Sequence, residues 1–222
     1  MNFLTLASRL HRESMRSTAA PTAYSGASDR ALRLFNAIAD AWVEVQSERL
    51  WKWMRGTTDA ALTVGLQTYT GTGLGVASRF GRWRDEDDGY WPIVYVSGTP
   101  NSQWPITQLD LDTFRKRWIY RTQGNSTPLE FATDDSQQLL IGPAPAVAYK
   151  VRADYWMEPS ELAADANTPD MPSRFHMLLV WRALMDIARA DAAPELLSKA
   201  EVNYAKMHDA LRFDQAVDLP RL

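Results

Sequence analysis

Residues of types that could do chemistry gather at a few places in this sequence, and each place falls short of a complete reaction centre. Gly71 to Ala77, GTGLGVA, spaces its glycines as G-x-G-x-G. A dinucleotide loop needs a glycine at the last motif position and an acidic residue after the next strand, and both are missing. A loop tip is the expectation there. Asp85-Glu86-Asp87-Asp88-Gly89 opens like a calcium loop, but the sixth position lacks glycine and the twelfth is Val96 instead of a bidentate glutamate. A solvated turn is expected instead. His11, His176 and His208 lie far apart with no ligand spacing, and His176 reads as a hydrogen-bonded core or interface group. Nucleophile-elbow and zincin motifs do not occur. Asp110/Asp112 and Asp134/Asp135 are the carboxylates a glycoside hydrolase could use, but their settings read as a helix cap and a turn. Arg79, Arg82 and Arg84 with Phe80 and Trp83 combine charge with stacking surface, as a nucleic-acid site would. The neighbouring DEDD run cancels that charge. Asn125-Ser126-Thr127 is a glycosylation sequon, which has meaning only in a secreted protein.

Composition narrows the classes further. The 222 residues are 45% hydrophobic, enough for a real core. The formal net charge of -3 disfavours non-specific binding to DNA backbone or anionic membrane. Cysteine is absent, so no disulfide framework or thiolate chemistry is expected. No apolar run of about eighteen residues could span a bilayer, and the opening MNFLTLASRLHRE does not read as a signal peptide. A reducing, soluble compartment is expected. Nine tryptophans are spread along the chain, which favours packed surfaces over one aromatic box. No catalytic set, cofactor or metal is expected.

The elements that would position these residues follow from periodicity. Pro169 to Ala190 contains the core helix: Ser173 is placed to cap it, and from Phe175 onward apolar residues face nearly every direction. Only Arg182, Asp186 and Arg189 form a polar stripe, spaced so that the aspartate can pair with both arginines. Such a helix must be wrapped by others. Residues 2–15 suggest a short amphipathic helix with Phe3, Leu6 and Leu10 on one side. Residues 16–27 read as a small-residue linker. Ser28-Asp29 caps a helix whose Ala31, Phe35, Ile38, Trp42 and Val45 share a face. Around Leu50 the helix frays or becomes extended. From Ala60 to about Ile141 short β-rich runs alternate with turns, LTVGLQTYT carrying a mid-run glycine and LEFAT/QLLIG forming a hairpin. One short helix, capped by Asp110 or Asp112, interrupts them. Tyr149 to Met157 alternates as a strand. Pro194 starts a last helix with Leu197, Ala200, Tyr204, Met207 and Leu211 as a seam.

The expected fold class is therefore α+β: a helical bundle built from N- and C-terminal helices with an inserted β-rich domain. The boundaries are 1–27 for the N-terminal helix and linker, 28–55 and 172–212 for the bundle, 56–160 for the insert and 213–222 for a C-terminal tail. Trp181, Phe175, Trp42, Ile38 and Tyr204 are expected in one core.

Several stretches together resemble tailed-bacteriophage head-to-tail adaptor proteins: the capped helix with Trp42, W-K-W-M-R at 51–55, Q-T-Y at 67–69, L-L-I-G-P-A-P at 139–145, and P-D-M-P-S-R-F-H-x-x-L-V-W-x-A-L at 169–184. The resemblance covers roughly residues 28–190 and rests on the pattern and order of residues. It implies a structural, non-enzymatic neck component of the virion, assembled in the host cytoplasm as a dodecameric ring. Portal protein and tail or nozzle proteins are the implied partners, with genomic DNA passing through the channel without sequence-specific binding. C-terminal segments of such proteins reach into portal grooves, which points to Phe213, Val217, Leu219, Arg221 and Leu222 as portal-binding residues. The tip Asp85, Glu86, Asp87, Asp88 and Gly89 is the expected contact with the tail, being cheap to vary. Two other readings stand beside this one: another neck or tail-completion protein, or a virion-associated cell-wall hydrolase.

Overall fold

Prolines and changes of periodicity cut the chain into helical ends and a β-rich middle. The computed structural model describes residues 1–14, 19–27, 29–76, 78–121 and 123–215. Among them lie five α-helices and two β-sheets, so the protein is α+β. The chain divides into two compact units, residues 1–54 with 159–222, and residues 55–158.

In the first unit α1 (Phe3–Glu13) starts on Asn2, whose side chain accepts from the Thr5 amide at 2.9 Å. Phe3, Leu6, Ala7 and Leu10 are buried. The Phe3 ring meets Phe35 edge-on at 5.0 Å. Phe35 belongs to α2 (Asp29–Ser47), which also buries Leu34, Ile38, Ala41, Trp42 and Val45. Ser28, expected to cap α2, lies outside the described residues. After a single turn of 3₁₀ helix at Ser173–Phe175 the chain enters α4 (Met177–Ala190), numbered after a short α3 in the other unit. α4 packs against α1, α2 and α5 (Pro194–Asp214). The pairing expected on its polar stripe forms, Arg182–Asp186 at 2.7 Å and Arg189–Asp186 at 3.3 Å.

Two expectations for this unit are corrected. Ser173 makes no side-chain cap, because the 3₁₀ turn it opens already satisfies the first amides by i→i+3 bonds. Trp181 and Tyr204 are half-exposed instead of sharing the core with Ile38, Trp42 and Phe175. Trp181 lies under the Lys199 ammonium at 5.6 Å, an arrangement of the helix rim.

In the second unit the strands are β1 (Arg55–Ala61), β2 (Thr68–Tyr69), β3 (Phe80–Trp83), β4 (Ile93–Val96), β5 (Trp104–Pro105), β6 (Thr107–Gln108), β7 (Glu130–Thr133), β8 (Leu139–Gly142) and β9 (Tyr149–Met157). One sheet runs β1-β9-β4-β5 with β3 also on β9; the other runs β2-β8-β7-β6. β9 is the axis of the first sheet. Its Tyr149, Val151, Ala153 and Tyr155 enter a core with Trp83, Val94, Ile106, Phe131 and Ile141, so both sheets contribute. α3 (Leu111–Phe114) covers a smaller cluster of Phe114, Ala132 and Leu140, and continues as a π-helical turn, Arg115–Ile119.

After Leu50 the chain makes a turn of 3₁₀ helix, Lys52–Met54, and becomes extended only at Arg55, where β1 begins. The run Leu62–Thr70 bends at Gly65, which takes φ +76, before entering β2 at Thr68; the Tyr69 hydroxyl bonds the Thr63 and Leu66 carbonyls at 3.1 and 2.9 Å. In the Gly71–Ala77 stretch, Leu74 and Val76 are buried and the Thr58 hydroxyl donates to the Leu74 carbonyl at 2.5 Å. From Gly71 to Val76 the chain is a loop anchored by Leu74 and Val76, with Thr72, Gly73 and Gly75 exposed.

Candidate interaction surfaces

The acidic tip sits on a network of charged and aromatic side chains in the β-rich unit. Asp85 caps a 3₁₀ turn, Glu86–Asp88, and Gly89 closes it at φ +66. Asp88 points inward, accepting from Arg82 at 2.9 and 3.0 Å and from the Trp156 indole at 3.0 Å. Arg84 is buried, pairs with Asp154 at 3.0 Å, and lies over the Tyr90 and Trp156 rings at 4.8 and 5.6 Å. Burial pushes the Tyr90 phenol up to about 12, with the Asp154 charge adding to it. Glu86, Asp87 and Gly89 of the tip are exposed, whereas Asp85 and Asp88 are half-buried and bonded within it. The Arg79, Arg82 and Arg84 cluster is likewise occupied: Arg82 and Arg84 by carboxylates, and Arg79 by the Glu158 carbonyl at 2.7 Å.

Of the carboxylates a hydrolase would use, Asp110, Asp134 and Asp135 converge, and Asp112 does not join them. Asp85, Asp110, Asp134 and Asp135 line one cavity of about 460 Å³ together with Arg82, Gln108 and Gln137. Asp110 caps α3, and its bonds from Thr113 hold it below the usual carboxylate range, the reverse of what a proton donor needs. Asp134 accepts from the Ser136 and Gln138 amides at 2.9 and 2.8 Å and so shapes the β7–β8 turn. Among the described residues no group of three or more His, Cys, Asp or Glu could hold a metal. Nor is any helix among them long and apolar enough to cross a membrane.

A surface the sequence reading passed over is Arg115-Lys116-Arg117-Trp118-Ile119-Tyr120-Arg121. Its Phe114 side packs as expected, but Lys116, Arg117, Ile119, Tyr120 and Arg121 are exposed, Tyr120 by 71%. Arg117 and the Trp118 indole both bind the Glu130 carboxylate. The density of basic residues beside aromatic ones was the available signal; reading the segment as an amphipathic helix hid it. Trp91 is exposed beside a groove of about 380 Å³ formed with Tyr90, Ile93, Trp104 and Pro105.

His176 is buried. Its Nε2–H donates to the Met171 carbonyl at 3.0 Å, and Nδ1 accepts from the Met1 amine at 2.6 Å, an arrangement only a neutral ring satisfies. Burial pushes its imidazole below the ordinary histidine range. The histidine is structural, as expected.

Of the expected portal-binding residues, Phe213 is in the last turn of α5 and 90% exposed. Val217, Leu219, Arg221 and Leu222 lie outside the described residues. α5 runs past the expected start of the tail, since Asp214 pairs with Arg174 and Gln215 is buried.

A comparison with curated proteins gives no match. The family model described as SU10 adaptor protein matches residues 1–220, nearly the whole chain, and the resemblance read from residues 28–190 extends to both helical ends. By that match this chain is a member of the SU10 adaptor protein family of phage head-to-tail adaptors.

Proposed function

We propose that this chain forms a ring of roughly twelve copies that joins the portal to the tail in the phage neck and lines the channel through which genomic DNA passes. The observation that carries this reading is the adaptor-family match across residues 1–220. In it, helices of segments 28–55 and 172–212 form a bundle, 56–160 is a β-rich insert, 1–27 is the N-terminal helix and linker, and 213–222 is an arm. The arm, from Phe213 through Val217, Leu219, Arg221 and Leu222, docks on the portal protein. Glu86, Asp87 and Gly89 meet a tail or nozzle protein, with Asp85 and Asp88 holding the loop in shape. Assembly takes place in the host cytoplasm. A net charge of -3 suits a wall past which DNA must slide without sticking.

The test is reconstitution: purified chain is added to portal-bearing, DNA-filled heads and imaged by electron cryomicroscopy. A closed ring beneath the portal is the expected result. Heads that stay bare, or chain bound elsewhere on the particle, would overturn the reading. The double variant Glu86→Ala, Asp87→Ala should still bind portal and fail to recruit tails.

A further inference from the structure

The open edge of the first sheet is defined by where its backbone hydrogen bonds go. β1 pairs with β9 along all seven of its residues without a register shift. The Leu62 amide donates to the Tyr149 carbonyl at 2.8 Å, which sets the phase of this ladder. Gly56, Thr58 and Ala60 therefore exchange bonds with β9, and Arg55, Thr57, Asp59 and Ala61 turn their N–H and C=O groups away from it. Among the described residues none bonds those outward groups, and all four residues are exposed.

The other edges of the two sheets are blunted. β2, β5 and β6 are two residues long, and β5 ends in Pro105. β3 is four residues long and its pairing carries a register shift. β1 has no lysine, proline or bulge, and its two exposed charges, Arg55 and Asp59, are of opposite sign.

We propose that β1 is a docking edge for β1 of a second copy of this chain, paired antiparallel about a two-fold axis. Outward groups sit on alternate residues, so Arg55, Thr57, Asp59 and Ala61 must face one another across the axis. One register opposes Arg55 to Asp59 twice and sets Thr57 against its own copy; a slip of one residue in each strand sets Arg55 against Ala61 and Thr57 against Asp59, and a slip of two sets Asp59 against Asp59. Cross-strand charge selects the first. Arg55 has no ion-pair partner among the described residues. Asp59 is held ionised by the Tyr95 hydroxyl at 2.6 Å, with Arg152 at 3.1 Å. The contact is isologous and closes at two copies, so it stands apart from the head-to-tail contacts of a ring and does not rest on that reading.

Sedimentation velocity on the full chain across a concentration series tests it. Wild type should show a monomer–dimer equilibrium. Arg55→Asp alone and Asp59→Arg alone should each weaken self-association by about tenfold or more. An equimolar mixture of the two should dimerise again, because every Asp then faces an Arg; this recovery also shows that both variants are folded. Thr57→Pro removes an outward N–H without touching the β9 ladder and should leave a monomer. The chain lacks cysteine, so Thr57→Cys should cross-link to its own copy under mild oxidation while Ala61→Cys does not. Monomer at all concentrations, closed rings in place of dimers, or a dimer indifferent to these changes would overturn the proposal. So would a monomeric wild type whose Thr57→Pro variant loses a portal or tail partner, since the edge would then receive that partner's strand.

Discussion

Asp88 holds Arg82 with both carboxylate oxygens, at 2.9 and 3.0 Å, and shares one of them with the Trp156 indole nitrogen at 3.0 Å. One side chain of an acidic run thus ties β3 to the middle of the sheet, while its neighbour Asp87 faces solvent. Asp88→Ala should cost about 1–3 kcal/mol, because it strands a charged group and an indole N–H. Asp87→Ala should stay within about 0.5 kcal/mol. Urea unfolding followed by tryptophan fluorescence compares them; equal effects would mean the network contributes nothing.

Trp42 is fully buried and its indole donates to Ser160 at 3.1 Å, whereas Trp181 is half-exposed. Trp42→Ala should cost about 3–5 kcal/mol through cavity formation. Trp181→Ala should cost less than half of that. Melting of the two variants side by side decides the order.

His176 carries a pH prediction. Its folded-state value is depressed, so the unfolded chain binds the proton more readily and stability decreases as the pH is lowered. The contribution is complete above the unfolded value of about 6.5 and is lost as pH drops from there toward the folded value. Asp59 and Asp110, also depressed, lose theirs only below the ordinary aspartate value of 3.8. Unfolding midpoints at mildly acidic and neutral pH should differ for wild type and converge in His176→Gln. An unchanged pH slope in the variant would exonerate this ring.

Truncation has a sharp boundary. Ending the chain after Gln215 keeps the Asp214–Arg174 pair and the buried Gln215, so thermal stability should not change. Ending it after Arg212 removes both and should lower the melting point slightly. If the arm docks on the portal, both truncations lose portal binding in a pull-down.

Gly142 allows a close approach: a Cβ there would lie 2.6 Å from the Trp118 ring. Gly142→Ala should push Trp118 from its bond with Glu130 and cost about 1–3 kcal/mol. A shift in the near-ultraviolet circular dichroism of tryptophan would report it.

Local rules account for what could be read without the fold. Three-and-four spacing marked α2, α4 and α5, two-residue alternation marked β9, and Asp134 marked its own turn, since each depends on residues within a few positions of one another. Asp186 reaches its two arginines because all three sit on one helix face. Tertiary structure settled the matters that turn on distant partners. RGTTDAA has no alternation of its own, and it becomes β1 because β9, about a hundred residues later, supplies the ladder. Four acidic residues in a row are equivalent until the indole of Trp156, 68 positions away, picks out Asp88. Trp42 and Trp181 are alike in sequence, and their burial differs because α4 meets α1, α2 and α5 yet leaves a strip of its surface toward solvent. An apolar residue's need for cover is written locally, but which neighbour provides it depends on how the helices and strands pack.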